Sequence, residues 1–239
     1  MIHFLYLPAK PVPLSAVTTR VQGADYASRF TPLETNIIEQ HWNALSKKNP
    51  KVFSKPNGLG TLTSTQGTTF TFQPTEFKTY AGITAHPLRK GMMAGMRVSC
   101  VGGVVHLKDG SCILRNRPID VSHPGKIDAS FSGFAAVEND TIVIEKAIHA
   151  KLARELNITP KDIITLQLTG VHEETEEDYS CMFDVIVDVR LTKDELNLDA
   201  KQYFFLKQTE VPSFIKANKK TLLPDGRATL FASLPSALR

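Results

Sequence analysis

The segment that most constrains the fold is an amphipathic stretch in the second half of the chain. Four aliphatic residues recur there at four-residue spacing, namely Ile144, Ile148, Leu152 and Leu156. Side chains with this spacing lie on one face of an α-helix. Asp140 or Thr141 can cap the start of this helix. Asn157 tolerates the left-handed conformation that often ends a helix, and Pro160 prevents its continuation. The sequence therefore predicts a glycine-containing loop, beginning at Ser130, that leads into one helix.

Two strands joined by a tight turn precede this segment. Residues 98–107 are almost continuously apolar, and the Lys-Asp-Gly sequence at 108–110 is typical of a turn. Residues 111–117 predict a second strand, which ends in Arg115-Asn116-Arg117.

The pattern beyond the helix predicts more strands. Residues 163–169 alternate as a strand, residues 171–178 form an acidic loop, and residues 182–191 form a central, buried strand. A strand at 202–207, a short helix at 212–219 and a last strand at 227–232 complete the prediction.

The first part of the chain predicts a smaller layer. Thr31, Pro32 and Glu34 are typical of a helix start, because they supply a cap, a proline in the first turn and an early acidic residue. Residues 59–72 read as a β-hairpin around Gln66-Gly67. We therefore predict an α/β extension over residues 1–95 and a second domain over residues 96–239.

The predicted elements follow one another in the order strand, turn, strand ending in arginine, glycine-containing loop and helix. This order resembles that of the Nudix hydrolases. Their signature is G-x5-E-x7-R-E-U-x-E-E-x-G-U, where U is aliphatic. With Leu152 and Ile158 on the two aliphatic positions, Arg154 and Glu155 fall on the paired glutamates, and Asn157 falls on the glycine. The positions for an earlier glutamate and for the Arg-Glu pair hold Ile142, Ala150 and Lys151. Of the acidic metal positions only Glu155 remains.

The resemblance implies an α+β fold, with a mixed sheet between helices and a small α/β extension in front of it. It also implies hydrolysis of a diphosphate bridge by water activated beside Mg²⁺ or Mn²⁺. Such a metal needs several carboxylates on one helix face, because hard cations take oxygen ligands. Here the face presents Lys151, Arg154 and Glu155. Glu155 is then the residual metal ligand and catalytic residue, and hydrolysis is expected to be weak or lost.

The cations permit a second interpretation of the same face. Arg154, Lys151, Arg115 and Arg117 could bind the diphosphate directly, in place of the metal. The structural alternative is a solvated helix face on which Lys151 and Glu155 form an i,i+4 pair, worth only about 0.2–0.5 kcal/mol.

Within the superfamily, the layout is similar to the nucleotide-sugar diphosphatases that act on UDP-sugars. This similarity depends on three short segments: Trp42, Leu45, Val52 and Phe53; Phe-Lys-Thr-Tyr at 77–80; and Tyr-Phe-Phe at 203–205. It implies a nucleoside diphosphate linked to another moiety, such as a UDP-sugar, as the ligand. The alternative is a non-catalytic Nudix-fold module that binds a nucleotide or a protein.

The acidic stretch at 171–178 offers further candidates. One of its carboxylates, for example Glu174, could act as a general base or a second metal ligand beside Glu155, although a charge run between strands is more often a solvated turn. His172 and His123 flank possible cleft loops and either could contact a substrate, although a lone histidine in a loop is usually at the surface. Glu138 could replace the missing glutamate if the loop is shifted.

Composition and charge indicate which classes of binding partner and which cellular compartment to expect. Apolar residues make up 42% of the 239-residue chain and charged residues 22%, which is ordinary for a globular protein. A net charge of +4 gives no strong nucleic-acid signal. No apolar run approaches the roughly 20 residues of a membrane helix. We find no signal peptide, and three cysteines without CxxC spacing predict buried thiols. These features favour an intracellular, cytoplasmic protein.

Overall fold

The computed structural model describes residues 2–50, 58–84, 89–93, 95–119, 123–176 and 179–239. Val52 and Phe53 of the predicted nucleotide-sugar segment, and Glu177 and Asp178 of the acidic stretch, lie outside the described residues. Among the described residues, no helix is long and apolar enough to cross a membrane.

The described chain contains both strands and helices, mixed along the sequence. The strands are β1 Ile2–Tyr6, β2 Val12–Pro13, β3 Thr18–Val21, β4 Gly58–Gln66, β5 Thr69–Glu76, β6 Val98–His106, β7 Ser111–Asn116, β8 Ile127–Asp128, β9 Phe131–Phe134, β10 Val137–Glu138, β11 Thr141–Ile142, β12 Ile163–Glu174, β13 Ser180–Val189 and β14 Tyr203–Lys207. The α-helices are α1 Pro32–Lys48, α2 Phe77–Thr84, α3 Arg89–Met92, α4 Ile144–Leu156, α5 Val211–Ala217 and α6 Pro224–Ser233.

Twelve of these strands form one mixed sheet within the described residues. Its main path runs β1-β12-β13-β6-β4-β5-β3. β13 is parallel to β6, and β3 is parallel to β5, whereas the other pairs are antiparallel. β9 also pairs with β6, and β14 pairs with β7. β13 lies between two neighbours and is almost wholly buried, which confirms the prediction of a central strand.

Helices cover this sheet on both faces. Along β6, Val101 and Val105 pack in the same apolar cluster as the buried stripe of α4. Val104 belongs to a second cluster with residues of α5 and α6. Because side chains alternate across a strand, this division places α4 on one face and α5 with α6 on the other. The predicted α+β fold, a mixed sheet between helices, is confirmed.

Helix α4 has the predicted buried stripe but a different start. Ile144, Ile148, Leu152 and Leu156 are all buried. Asn157 adopts the left-handed conformation at φ 55° and ends the helix, as predicted. The cap position at the start is Val143, without a side-chain cap, because Thr141 is engaged in the short β10–β11 hairpin. The predicted loop from Ser130 is mostly extended, since it contains β9 and this hairpin.

The first ninety residues are joined to the rest by strands and by packing. Thr31 and Glu34 form the predicted capping box at the start of α1. β1 pairs with β12, and β4 pairs with β6 through Thr61 and Val98, so segments on both sides of residue 95 share the sheet. A separate extension over residues 1–95, followed by a domain over 96–239, stays a prediction.

Two secondary-structure predictions were wrong. The acidic stretch is not a loop from residue 171, because β12 continues to Glu174 and pairs with β13. Residues 227–232 belong to helix α6 instead of a last strand. Pro224 in the first turn of α6 pre-sets the helical φ angle, and the short apolar run that follows fits either element until tertiary packing selects one.

Candidate functional site

A cleft of about 500 Å³ opens between α4, the β7–β9 region and the start of α6. It is large enough for a small organic ligand, for which pockets of about 300–1,000 Å³ are usual. All the residues predicted to bind substrate line it, together with the predicted metal ligand: Arg115, Arg117, Lys151, Arg154 and Glu155. The fold therefore brings the end of β7 and the last turns of α4 to one cavity.

An ion-pair network connects these residues across the cleft. The Arg115 guanidinium donates to Glu155 Oε2 at 2.7 Å and to Asp128 Oδ2 at 2.9 Å. Arg117 donates to the same Asp128 oxygen at 2.9 Å, and the Ser132 hydroxyl lies 3.1 Å from it. On the helix, Arg154 donates to Glu155 Oε1 at 2.5 Å. Asp128 was not singled out from the sequence, since nothing local distinguishes it from a surface aspartate.

Asp128 anchors this network because it is charged and fully buried. Burial would raise the pKa of its carboxyl, but the guanidinium groups of Arg115 and Arg117 outweigh burial and hold the pKa below its ordinary value. Its other oxygen accepts the backbone N–H of Ala129 at 2.9 Å. A buried charge of this kind needs such partners, because an unpaired one is very costly.

Lys151 lies across β9 at a position that requires a glycine. Gly133 has φ +150°, and a Cβ atom on it would lie 1.9 Å from the Lys151 ammonium nitrogen. The ammonium nitrogen is 3.6 Å from Glu155 Oε1. Burial lowers the pKa of Lys151, Glu155 opposes this, and Arg154 and Arg115 lower it further. The cleft thus holds more positive charge around Lys151 than one carboxylate neutralises.

The described carboxylates do not suit a Mg²⁺ or Mn²⁺ ion. Glu155 has cations on both oxygens, and both oxygens of Asp128 already accept hydrogen bonds. No group of three or more His, Cys, Asp or Glu residues in the described part of the chain could hold a metal. Divalent metals of this class need several oxygen ligands, and neighbouring cations repel them.

An aromatic wall forms another side of the cleft. Tyr80 of α2 and Phe134 of β9 both line it, with ring centroids 5.3 Å apart in a T-shaped arrangement. Phe77 packs on Phe134 at 5.1 Å. Phe134 is 37% exposed, as is Phe205, which does not line the cleft. The wall combines residues from both sides of residue 95.

The other predicted candidates lie elsewhere. Glu174 is buried, accepts the backbone N–H groups of Glu176 at 2.8 Å and Tyr179 at 3.2 Å, and does not line the cleft. The catalytic role of Glu174 stays a prediction. Glu138 pairs with Lys146 on the exposed side of α4. His123 lies in the turn before β8 and does not line the cleft.

His172 was expected at the surface, and this was wrong. It lies on β12 with no exposed side-chain area. Its ring nitrogens face two carboxylates, with Nδ1 at 2.8 Å from Asp184 and Nε2 at 3.2 Å from Asp225. Asp225 lines the cleft. The partners are 12 and 53 residues away in sequence, so no local pattern could have indicated this cluster.

Comparisons with known proteins find distantly similar solved structures. No family model and no curated protein matches the sequence. Among solved structures, DR0079 of Deinococcus radiodurans is 18% identical, with 56% of this chain and 82% of that chain covered at a TM-score of 0.44. A Nudix hydrolase from M. smegmatis, RenU, is 13% identical over 56% and 81% of the two chains, with a TM-score of 0.38.

An Ap4A hydrolase from C. elegans is 14% identical over 57% of this chain and 96% of its own, at a TM-score of 0.40. The helix segment resembles the Nudix signature, and the similar structures include a Nudix hydrolase. What the cleft binds has to be inferred from the contacts of this chain itself.

Proposed function

We propose that the cleft binds a nucleoside diphosphate linked to a second moiety, with a UDP-sugar as the favoured ligand, and that metal-dependent hydrolysis is weak or lost. The observation that carries this proposal is the charge of the cleft. The cleft is lined by four cations, Arg115, Arg117, Lys151 and Arg154, and by three carboxylates, Asp128, Glu155 and Asp225. Lys151 and Arg154 stand at positions where the Nudix signature has glutamates.

Arginine and lysine suit a diphosphate for different reasons. A guanidinium forms paired hydrogen bonds to phosphate oxygens, whereas an ammonium acts as a compact charge. Arg154 is 65% exposed and contacts Glu155 at the rim, so it can turn towards a ligand at little cost. Lys151 is mostly buried, and an anion beside it would favour its charged form. Arg115 and Arg117 are held by Asp128 and supply a fixed positive wall.

The same contacts explain why hydrolysis is expected to be weak. A metal at Glu155 would have to displace its contacts with Arg115, Arg154 and Lys151. Those cations would then be left near a divalent ion, which is unfavourable. The cations therefore bind the ligand, and Glu155 positions them.

The aromatic wall supports a ligand that contains a flat ring. Phe134 exposes part of its ring beside Tyr80, and planar aromatic groups stack or pack edge-on against such side chains. Stacking on an aromatic side chain is worth about 1–3 kcal/mol for a nucleic-acid base. With a base packed on this wall, the diphosphate would be bound by the cationic side chains.

Calorimetric titration with UDP-glucose, in the presence of EDTA, tests the binding. We expect Arg154→Ala to weaken binding about tenfold, because one charge-assisted contact is worth roughly 1.5 kcal/mol. Lys146→Ala is the matched control, since Lys146 lies on the same helix but pairs with Glu138 outside the cleft. Equal affinity of Arg154→Ala and wild type would remove the basis of the proposal.

Hydrolysis is tested by measuring product release from UDP-sugars and dinucleotides with Mg²⁺ or Mn²⁺. We expect no metal-dependent turnover at high protein concentration in a folded sample. Turnover that is present in the wild type and lost in Glu155→Gln would show the opposite, a divergent hydrolase with Glu155 as its metal ligand.

A further inference from the structure

A series of hydrogen-bonded polar side chains extends from the interior of the sheet to the wall of the cleft. The Thr229 hydroxyl donates to Asp184 Oδ1 at 2.7 Å, and Asp184 Oδ2 contacts His172 Nδ1. His172 Nε2 contacts Asp225 Oδ1, and the Ser180 hydroxyl lies 3.3 Å from Asp225 Oδ2. Ser180 and Asp225 both line the cleft, whereas Asp184 and His172 have no exposed side-chain area.

His172 and its two aspartates together carry one negative charge, beside the cations of the cleft. Burial disfavours a charged imidazole, but the two carboxylates outweigh burial and raise the pKa of His172 to about 10. At neutral pH the histidine is therefore an imidazolium that donates both N–H groups, one to each aspartate. One positive charge between two carboxylates leaves one negative charge uncompensated, and Asp225 is the carboxylate that reaches the cavity.

Asp225 is also held in one orientation. It lies in the first turn of α6, where a carboxylate is favoured by the helix dipole. The next residue, Gly226, packs so closely on Asp128 that a Cβ atom there would lie 2.6 Å from Asp128 Oδ1. Asp225 is thus fixed beside the cationic network by backbone packing and by the His172 contact. Within the described residues, the Ser180 hydroxyl is the donor on its second oxygen, and a carboxylate oxygen can accept more than one.

We infer that Asp225 is a specificity-determining residue that accepts a hydrogen bond from a hydroxyl or amine on the moiety linked to the diphosphate, with His172 as its positioning residue. A carboxylate in a cationic cleft cannot serve a phosphate, because the two anions repel each other. A carboxylate accepts hydrogen bonds from donor groups, and a hydroxyl-rich group such as a sugar carries several hydrogen-bond donors. This inference rests on the proposed function, since it specifies the part of the same ligand that the cations do not recognise.

The test compares UDP-glucose with UDP, which lacks the linked glucosyl group and carries an additional negative charge on its terminal phosphate. Affinities are measured by calorimetry for the wild type and for Asp225→Asn, once with EDTA and once with Mg²⁺. We expect the wild type to bind UDP-glucose about tenfold more tightly than UDP in EDTA. Asp225→Asn should bind UDP and UDP-glucose with nearly equal affinity, and the ratio of the two affinities is the readout. A purely structural role of Asp225 would weaken both ligands together and leave the ratio intact.

Ser180→Ala and His172→Gln extend the test. Ser180→Ala keeps the carboxylate and removes the hydroxyl on its second oxygen. The preference for UDP-glucose should therefore persist, and its loss in this folded variant would overturn the inference even if Asp225→Asn does not fold. His172→Gln should reduce the preference, because Asp225 loses its support. The inference is overturned if the wild type binds UDP and UDP-glucose equally, if folded Asp225→Asn keeps the tenfold ratio, or if the preference arises only with Mg²⁺. If the wild type binds neither compound, or if Arg154→Ala leaves UDP binding unchanged, the proposed function itself fails.

Discussion

The buried histidine makes the stability of this protein dependent on pH in a defined direction. His172 lies between Asp184 and Asp225 with no exposed area, and its pKa rises from 6.5 to about 10. A group that binds its proton more tightly in the folded state stabilises that state while the proton is present. The contribution is complete below pH 6.5, the ordinary value, and it is lost as the pH rises towards 10.

The magnitude follows from the size of the shift. At 1.36 kcal/mol per pKa unit, a rise from 6.5 to about 10 corresponds to at most roughly 5 kcal/mol. Replacing His172 by glutamine leaves two carboxylates without their shared cation. Breaking a buried charge pair in this way costs about 3–5 kcal/mol. We therefore expect His172→Gln to be less stable than the wild type by about 3–5 kcal/mol at pH 6, and by much less near pH 10.

Urea unfolding at pH 6, 7, 8, 9 and 10 measures this difference directly. As the pH rises across this range, the free energy of unfolding of the wild type should fall towards that of His172→Gln. His149→Gln is the control, because His149 lies on α4 near Glu145 at 4.0 Å, partly exposed, and such surface pairs contribute less than about 1 kcal/mol. If the curves of wild type and His172→Gln run parallel between pH 6.5 and 10, the imidazole is neutral in the folded protein and the reasoning is refuted.

Three other changes probe the cleft and the caps. Asp128→Asn leaves Arg115 and Arg117 without their common buried carboxylate, and urea unfolding should show a loss of about 3–5 kcal/mol; a loss below 1 kcal/mol would contradict this. Gly133→Ala places a Cβ atom on the Lys151 ammonium and strains the backbone. The affinity for UDP-glucose should fall, and the free energy of unfolding should fall by about 1–3 kcal/mol. Unchanged affinity would show that Lys151 does not contact the ligand. Thr31→Ala removes the α1 capping box and should cost about 1 kcal/mol without altering ligand binding, which calorimetry checks.

Local features of this protein were predictable from the sequence, because their causes are local. The stripe of α4 follows from four aliphatic residues at helical spacing, and Asn157 ends the helix because asparagine tolerates positive φ. The capping box at Thr31 follows from a threonine three residues before a glutamate. The cations of the cleft could also be named, because Arg115 and Arg117 end a predicted strand and Lys151 and Arg154 share one helix face.

Tertiary structure decided the rest, because it depends on groups far apart in the chain. Whether residues 227–232 form a strand or a helix could not be read from a short apolar run, and packing on the sheet selected helix α6. Asp128 and Asp225 look like ordinary surface aspartates until folding places one against two arginines and the other against a buried imidazole. The burial of His172 has the same origin, since its charge is stabilised only where β12, β13 and α6 meet. Sequence thus determined the stripe of α4, the cap of α1 and which charges lie near one helix, and only the fold determined how those charges compensate one another.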